Sequence, residues 1–127
     1  DWYYPVLSGA LSKASARQRL DHNWSRFVIA GHGCRCVSDE PWVTVAETCE
    51  LVIALASVGD QTLAERLFRQ AMTIRDPAGV LWMGWQTAES VIWPKERPTW
   101  TQAAAILAAD ALKGFSGANR IFLAPLL

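Results

Sequence analysis

The sequence has little that would attract a charged partner and no long apolar run. Its 127 residues include 12 basic and 12 acidic side chains, so the formal net charge is zero. No cluster of Lys or Arg interrupts that balance, which argues against nucleic acid as a partner, because phosphate binding depends on local positive charge. No apolar stretch approaches the ~20 residues of a transmembrane helix, so no membrane span is expected.

Cysteine is also scarce, with three residues at Cys34, Cys36 and Cys49. An odd number cannot pair completely within one chain, and disulfides are rare in reducing compartments. We therefore expect reduced thiols and a cytoplasmic protein. The first residues lack both an initiator Met and a basic leader, which favours a soluble piece of a longer chain.

Metal ligands and cofactor motifs are few. His32, Cys34, Cys36 and Asp39 are of the types that bind zinc, but their spacing does not fit a closed zinc motif. The sequence contains neither a phosphate-binding glycine loop nor a dinucleotide fingerprint. We expect no metal and no cofactor.

Apolar residues, by contrast, make up 51% of the chain, enough to fill the core of a single domain over residues 1–127. The clearest pattern is helical, running from Thr44 to Val58 and ending at Gly59. Thr44 and Glu47 fit a capping box. A second helix from Gln61 to Ile74 is more polar, so we predict a hairpin in which the first helix is the inner one.

Another apolar helix begins at Thr99 or Thr101 and ends at Gly114, and it resembles the first when the chain is shifted by 57 positions. Two helices are also predicted over Val6–Lys13 and Ala14–Phe27. Glycine and proline indicate loops over 31–41 and 76–98. The pattern therefore predicts an all-α protein of antiparallel helical hairpins.

A family resemblance agrees with this prediction. The segment Arg69–Trp85, RQAMTIRDPAGVLWMGW, resembles the helix-end and turn segment of the α/α-toroid repeats of terpenoid cyclases and prenyltransferases. The whole chain, from DWYYPVLSGAL through RCVSDEPWVTVAETCELVIAL to TWTQAAAILAADAL, resembles the C-terminal third of actinobacterial prenyltransferase-like proteins. The resemblance implies part of an (α/α)6 toroid in the six-hairpin glycosidase and terpenoid cyclase-like superfamily, with the remaining hairpins of a parent chain as partners.

In such a toroid, the loops that precede the inner helices converge on one mouth. Flat aromatic faces there can stack on sugar rings, and carboxylates can bind hydroxyls or act as acid and base. The candidate catalytic residues are Asp39, Glu40 and Glu89. The candidate ligand-binding residues are Asp1, Trp2, Tyr3, Tyr4, Trp42, Trp85, Trp93, Glu96 and Trp100.

These residues favour a small, carbohydrate-like ligand, and four alternatives stay open. The same aromatic rings suit an isoprenoid, whose carbocations they would stabilise by cation–π contact. The apolar helices suit a non-catalytic scaffold that packs against a partner. Any single Trp could simply fill space between hairpins, and Asp39 or Glu40 could serve the dipole of the following helix.

Overall fold

The computed structural model describes residues 2–123. Helices and short strands are interspersed along this part of the chain. The helices are α1 (Tyr4–Leu7), α2 (Lys13–Phe27), α3 (Val45–Ser57), α4 (Gln61–Ala71), α5 (Thr99–Lys113) and α6 (Asn119–Phe122). The strands are β1 (Val28–Ile29), β2 (Gly33–Cys34), β3 (Trp42–Thr44), β4 (Gly84–Gln86) and β5 (Val91–Ile92).

The prediction of an all-α fold, and with it the partial (α/α)6 toroid, is wrong. Of the described residues 2–123, 51% are helical, and five strands among them form two antiparallel sheets. Each strand is only two or three residues long, too short for the alternating pattern of four to eight residues that reveals a strand in sequence. Strands β2, β4 and β5 lie in the segments 31–41 and 76–98 that the sequence predicts as loops, whereas β1 and β3 flank segment 31–41.

Helix α3 forms the centre of the core. Eight of its thirteen residues are buried, including Leu51, Val52 and Leu55, and it packs against α1, α4 and α5. Its N-terminus matches half of the predicted capping box, because the Thr44 hydroxyl accepts a hydrogen bond from the Glu47 amide at 3.3 Å. The hairpin of α3 with the more exposed α4 is confirmed.

Helix α5 is less enclosed than the sequence predicts. It begins at Thr99 and ends at Gly114, which adopts the left-handed conformation typical of a helix end. The proposed repeat fails at its start, because Thr44 precedes α3 as its cap whereas Thr101 lies inside α5. The Ile106 side chain is 69% exposed.

The three-stranded sheet has the order β3–β4–β5. Trp85, in the central strand, lies opposite Val43 on one side and Ile92 on the other, and β-branched and aromatic residues suit such pairing. The sheet joins the segment before α3 to the long connection before α5. It therefore places Trp93 beside Trp42.

The N-terminal segment differs slightly from prediction. The short helix is Tyr4–Leu7 rather than Val6–Lys13, whereas α2 matches the predicted Ala14–Phe27 to within one residue. The small sheet of β1 and β2 then lies against α3, where the Cys34 amide donates to the Thr48 hydroxyl at 2.8 Å. None of the helices within residues 2–123 has the length and apolar character needed to cross a membrane.

Candidate functional site

Two neighbouring clefts collect most of the predicted site residues. The first cleft is a cavity of about 480 Å³ between the N-terminal segment, the loop after β2 and the start of α3. Its chemically relevant lining residues are Trp2, Tyr3, Tyr4, Arg35, Asp39 and Glu47. The volume is within the ~300–1,000 Å³ range of small-molecule sites.

Packed aromatic rings form one wall of the first cleft. Trp2 stacks on Phe27 with ring centroids 5.3 Å apart and meets Tyr3 edge to face at 5.6 Å. Tyr3 in turn meets Tyr4 edge to face at 5.1 Å. Trp2 and Tyr3 are buried, while the Tyr4 side chain is 44% exposed. Tyr4 therefore presents an aromatic surface that packs against the buried Tyr3 ring.

A hydrogen bond ties this aromatic wall to α3. The Tyr3 hydroxyl donates to Glu50 Oε2 at 2.6 Å. Burial raises the pKa of Tyr3 and the Glu50 carboxylate raises it further, so the phenol stays neutral at physiological pH. The same two causes raise the pKa of Tyr4. Glu50 thus fixes the position of Tyr3.

Carboxylates from two elements border the first cleft. Asp39 lies exposed in the loop after β2, and Glu47 lies half-buried in the first turn of α3. The Arg35 guanidinium donates to the Ser38 carbonyl at 2.8 Å, which holds the loop beside the cleft. Burial, followed by the charge of Glu47, raises the pKa of Cys36 at the cleft wall.

The second cleft is a cavity of about 510 Å³ beside the β3–β4–β5 sheet. Trp42 and Trp93 meet there edge to face, with ring centroids 5.2 Å apart. The Trp42 indole N–H donates to the Trp93 carbonyl at 2.8 Å. The exposed carboxylates of Glu40 and Glu89 also line this cleft.

The structure therefore divides the single predicted mouth. Of the candidate catalytic residues, Asp39 lines the first cleft, whereas Glu40 and Glu89 line the second. Val37 borders both clefts and makes them neighbours.

The other predicted ligand-binding residues lie elsewhere. Trp85 lines a smaller cavity of about 250 Å³ with His32 and Ile92. Glu96 and Trp100 line neither cleft, and the Glu96 carbonyl accepts the Met83 amide at 2.8 Å. Asp1 lies outside the described residues.

The sequence interpretation missed Glu47 and Glu50 as site residues. The sequence pattern predicts a capping role for Glu47 and no role for Glu50. A signal for both exists in the sequence, because two carboxylates three residues apart share one side of a helix that is otherwise almost wholly apolar. Charged residues on such a helix must reach a polar cavity or a partner.

The thiols do not assemble a metal site. All three cysteines are free, and burial raises the pKa of both Cys34 and Cys49 to about 12. Within residues 2–123, no three His, Cys, Asp or Glu side chains come together as metal ligands would.

Comparison with known proteins shows a clear relative, although no family model matches the chain. The chain is similar to a mannosidase. It is 51% identical over 122 residues to the MMP endo-(1,4)-3-O-methyl-alpha-D-mannosidase of Mycolicibacterium hassiacum. The match covers 96% of this chain but 34% of the mannosidase, so the chain spans about a third of the length of that relative.

Proposed function

We propose that this chain contributes to an endo-acting glycoside hydrolase whose substrate is a (1,4)-linked α-D-mannoside carrying 3-O-methyl groups. The observation that carries this proposal is the 51% identity to the mannosidase, which extends over nearly the whole chain. At that level of identity two chains share a fold, and the first cleft supplies groups of the kind that sugar chemistry requires. The predicted carbohydrate ligand agrees with the activity that the relative's name describes.

The aromatic wall suits a pyranose ring. The C–H face of a sugar is apolar and packs on a flat aromatic surface, while its hydroxyl groups need polar partners at the edge. Tyr4 supplies an accessible ring that packs against Tyr3, and Tyr3 in turn packs against Trp2. We therefore assign the stacking surface of the first cleft to Tyr4.

The carboxylates suit hydrolysis. Cleavage of a glycosidic bond generally uses two carboxyl groups, one as general acid and the other as nucleophile or general base. Asp39 and Glu47 approach the first cleft from different elements, so a sugar lying on Tyr4 would have a carboxyl group available from the loop and another from α3. We propose this pair as the acid–base groups and Glu50 as a positioning residue acting through Tyr3.

The polar lining favours a sugar over an isoprenoid. Arg35, Asp39 and Glu47 would each have to be desolvated against a hydrocarbon chain, at a cost that no contact with that chain repays. A sugar offers each of them a hydroxyl partner instead. The isoprenoid alternative therefore has less support than the carbohydrate.

The decisive experiment is hydrolysis by the purified protein in its natural full length. A (1,4)-linked oligosaccharide of 3-O-methyl-α-D-mannose should be cleaved internally, with new reducing ends detected as they form. Asp39→Asn and Glu47→Gln should each lower kcat by about 100-fold or more, the range for removal of a general acid or base. Phe115→Ala, which removes a ring that is 76% exposed and lies outside both clefts, is the matched control.

Two results would contradict the proposal. If the protein leaves this oligosaccharide intact but its tryptophan fluorescence responds to prenyl diphosphates, the isoprenoid alternative replaces it. If hydrolysis occurs and neither carboxyl variant is impaired, the catalytic groups lie outside the first cleft.

A further inference from the structure

The second cleft differs from the first in the chemistry of its walls. Its walls are mostly apolar and include the exposed side chains of Val37, Val91 and Trp93. The indole N–H of Trp42 is already used by the Trp93 carbonyl. The cleft therefore offers apolar surface with carboxylates near it, whereas the first cleft offers polar groups beside an aromatic wall.

The Trp42 ring is built into this position by close packing. A Cβ atom at Gly84 would lie 2.6 Å from Trp42 Nε1 and 2.5 Å from the Val43 carbonyl oxygen, closer than side-chain atoms can approach. Only glycine in β4 lets the indole pass this close to the sheet. The Trp42 ring thus packs against the sheet at Gly84, and its N–H is held by the Trp93 carbonyl.

The turn between β4 and β5 is fixed as well. The Gln86 side chain accepts the Glu89 amide at 2.7 Å. The amide and the hydroxyl of Thr87 both donate to the Pro41 carbonyl, at 2.7 and 2.8 Å. The Glu89 backbone is therefore anchored beside Trp42 and Trp93, and the cleft does not need to form when a ligand arrives.

Apolar walls discriminate between a hydroxyl and its methyl ether. A sugar hydroxyl pressed against Val91 and Trp93 would lose its hydrogen bonds to water without replacement. A methyl ether has no hydrogen to donate, and its methyl group gains by leaving water. The second cleft is thus better matched to an O-methylated sugar than to an unmodified one.

We propose that the second cleft binds an O-methylated sugar of the substrate chain and gives the protein its preference for methylated over unmethylated mannosides. This inference rests on the proposed function. An enzyme that cleaves inside a chain must hold sugars beyond the bond it breaks, and Val37 places the second cleft directly beside the first. The carboxylates of Glu40 and Glu89 accept hydrogen bonds from the hydroxyls that remain free on the same sugar.

The test compares two (1,4)-linked α-D-mannose oligosaccharides of equal length, one with 3-O-methyl groups and one without. The readout is the ratio of their kcat/KM values with the full-length protein. The wild type should favour the methylated chain by about tenfold or more, as expected for a methyl group in an apolar pocket. Trp93→Ala and Val91→Thr should each bring the ratio to within about threefold of one.

The two substitutions, Trp93→Ala and Val91→Thr, are chosen so that the fold is preserved. Trp93→Ala removes the ring but retains the carbonyl that holds Trp42. Val91→Thr keeps the branched shape that a strand favours and changes only the polarity of the wall. Phe115→Ala is again the control and should leave the ratio unchanged. Thermal melts followed by circular dichroism should show all three variants folded at the assay temperature.

The outcomes separate this inference from the proposed function. If the methylated chain is cleaved but the ratio survives in both variants, the inference is overturned while the hydrolase stands. The inference is also overturned if both variants lose activity equally on the methylated and unmethylated oligosaccharides. The second cleft would then bind sugar without distinguishing a methyl ether from a hydroxyl. If neither chain is cleaved or bound, both proposals fail. Loss of the preference with retained activity on the unmethylated chain supports the inference.

Discussion

Helices α3 and α5 have similar compositions but occupy different environments. Both are rich in Ala and Leu, and their apolar patterns predict that both lie in the interior. In the structure α3 is enclosed by α1, α4 and α5, while α5 leaves Ile106 largely in solvent. The difference teaches that an apolar composition sets how much of a helix can be buried, whereas the neighbouring elements decide how much of it is buried.

The two helices also use their charged residues differently. Glu47 and Glu50 of α3 face the first cleft and its aromatic wall. Asp110 of α5 serves its own helix end, because its carboxylate accepts the amide and the hydroxyl of Ser116 at 2.7 and 2.8 Å. The charged residues of α3 thus connect the core to the first cleft, whereas Asp110 stabilises the C-terminal end of α5.

The largest expected contrast is in the core. Leu51→Ala should lower the free energy of unfolding by about 2–5 kcal/mol, because it removes a fully buried side chain and leaves a cavity. Ile106→Ala should change it by less than about 0.5 kcal/mol. Urea unfolding measures both. Similar losses in the two variants would mean that α5 is covered in solution.

A smaller effect is expected where α3 meets the aromatic wall. Tyr3→Phe leaves the half-buried Glu50 carboxylate without its donor and should cost about 1–3 kcal/mol. Tyr4→Phe, with its more exposed ring, is the control.

The wild type should also lose stability as the pH rises above the ordinary tyrosine pKa of 10.0. The unfolded chain then releases a proton that native Tyr3 retains. Tyr3→Phe should lack this component when unfolding is followed between pH 8 and 11. An unchanged alkaline slope would show that Tyr3 titrates normally.

Thr44, the cap of α3, and Thr101, in the first turn of α5, should respond differently to loss of the hydroxyl. Thr44→Ala removes the cap of α3 and should cost about 1 kcal/mol. The Thr101 hydroxyl is buried and has no hydrogen-bond partner among residues 2–123. Thr101→Val should therefore leave stability unchanged or raise it by up to about 1 kcal/mol. Thermal unfolding of the pair tests this, and a clear loss in Thr101→Val would reveal a partner for the hydroxyl.

The smallest effect concerns the end of α5. Hydrogen bonds from Ser116 lower the pKa of Asp110. Its contribution to stability is therefore complete above the ordinary aspartate pKa of 3.8 and is lost as the pH falls through the lowered value. Asp110→Asn should flatten the decline in stability below pH 4, measured by urea unfolding from pH 2 to 5. A decline identical to that of the wild type would assign acid sensitivity to other carboxylates.

The long helices of this fold could be predicted from the sequence, because periodicity and end signals agree for each of them. Thr44 and Gly59 bound α3, and Gly114 ends α5. The strands could not be predicted, since each depends on a partner distant in the chain. Trp42, for example, pairs with Gln86, and no local pattern records that contact.

The structure brings the candidate site residues together only in part, and their roles stay predictions. Trp2, Tyr3, Tyr4 and Asp39 come together as expected of a mouth. Glu89 joins Trp42 and Trp93 in a separate cleft because the β4–β5 turn carries it there. That separation depends on sheet pairing, which is the part of the fold that periodicity did not reveal. The assignment of residues 1–127 to one domain and the catalytic roles stay predictions.

The reactivity of the buried thiols reports on exposure of the protein interior to water. Burial raises the pKa of Cys34 and Cys49 to about 12, so both thiols stay protonated at pH 7. Since alkylating reagents attack the thiolate, they react with these cysteines only after the interior has been exposed to water. Cys36, at the wall of the first cleft, is reached by smaller movements. The rates at which one reagent labels the three positions would separate local breathing of the cleft from unfolding of the whole chain.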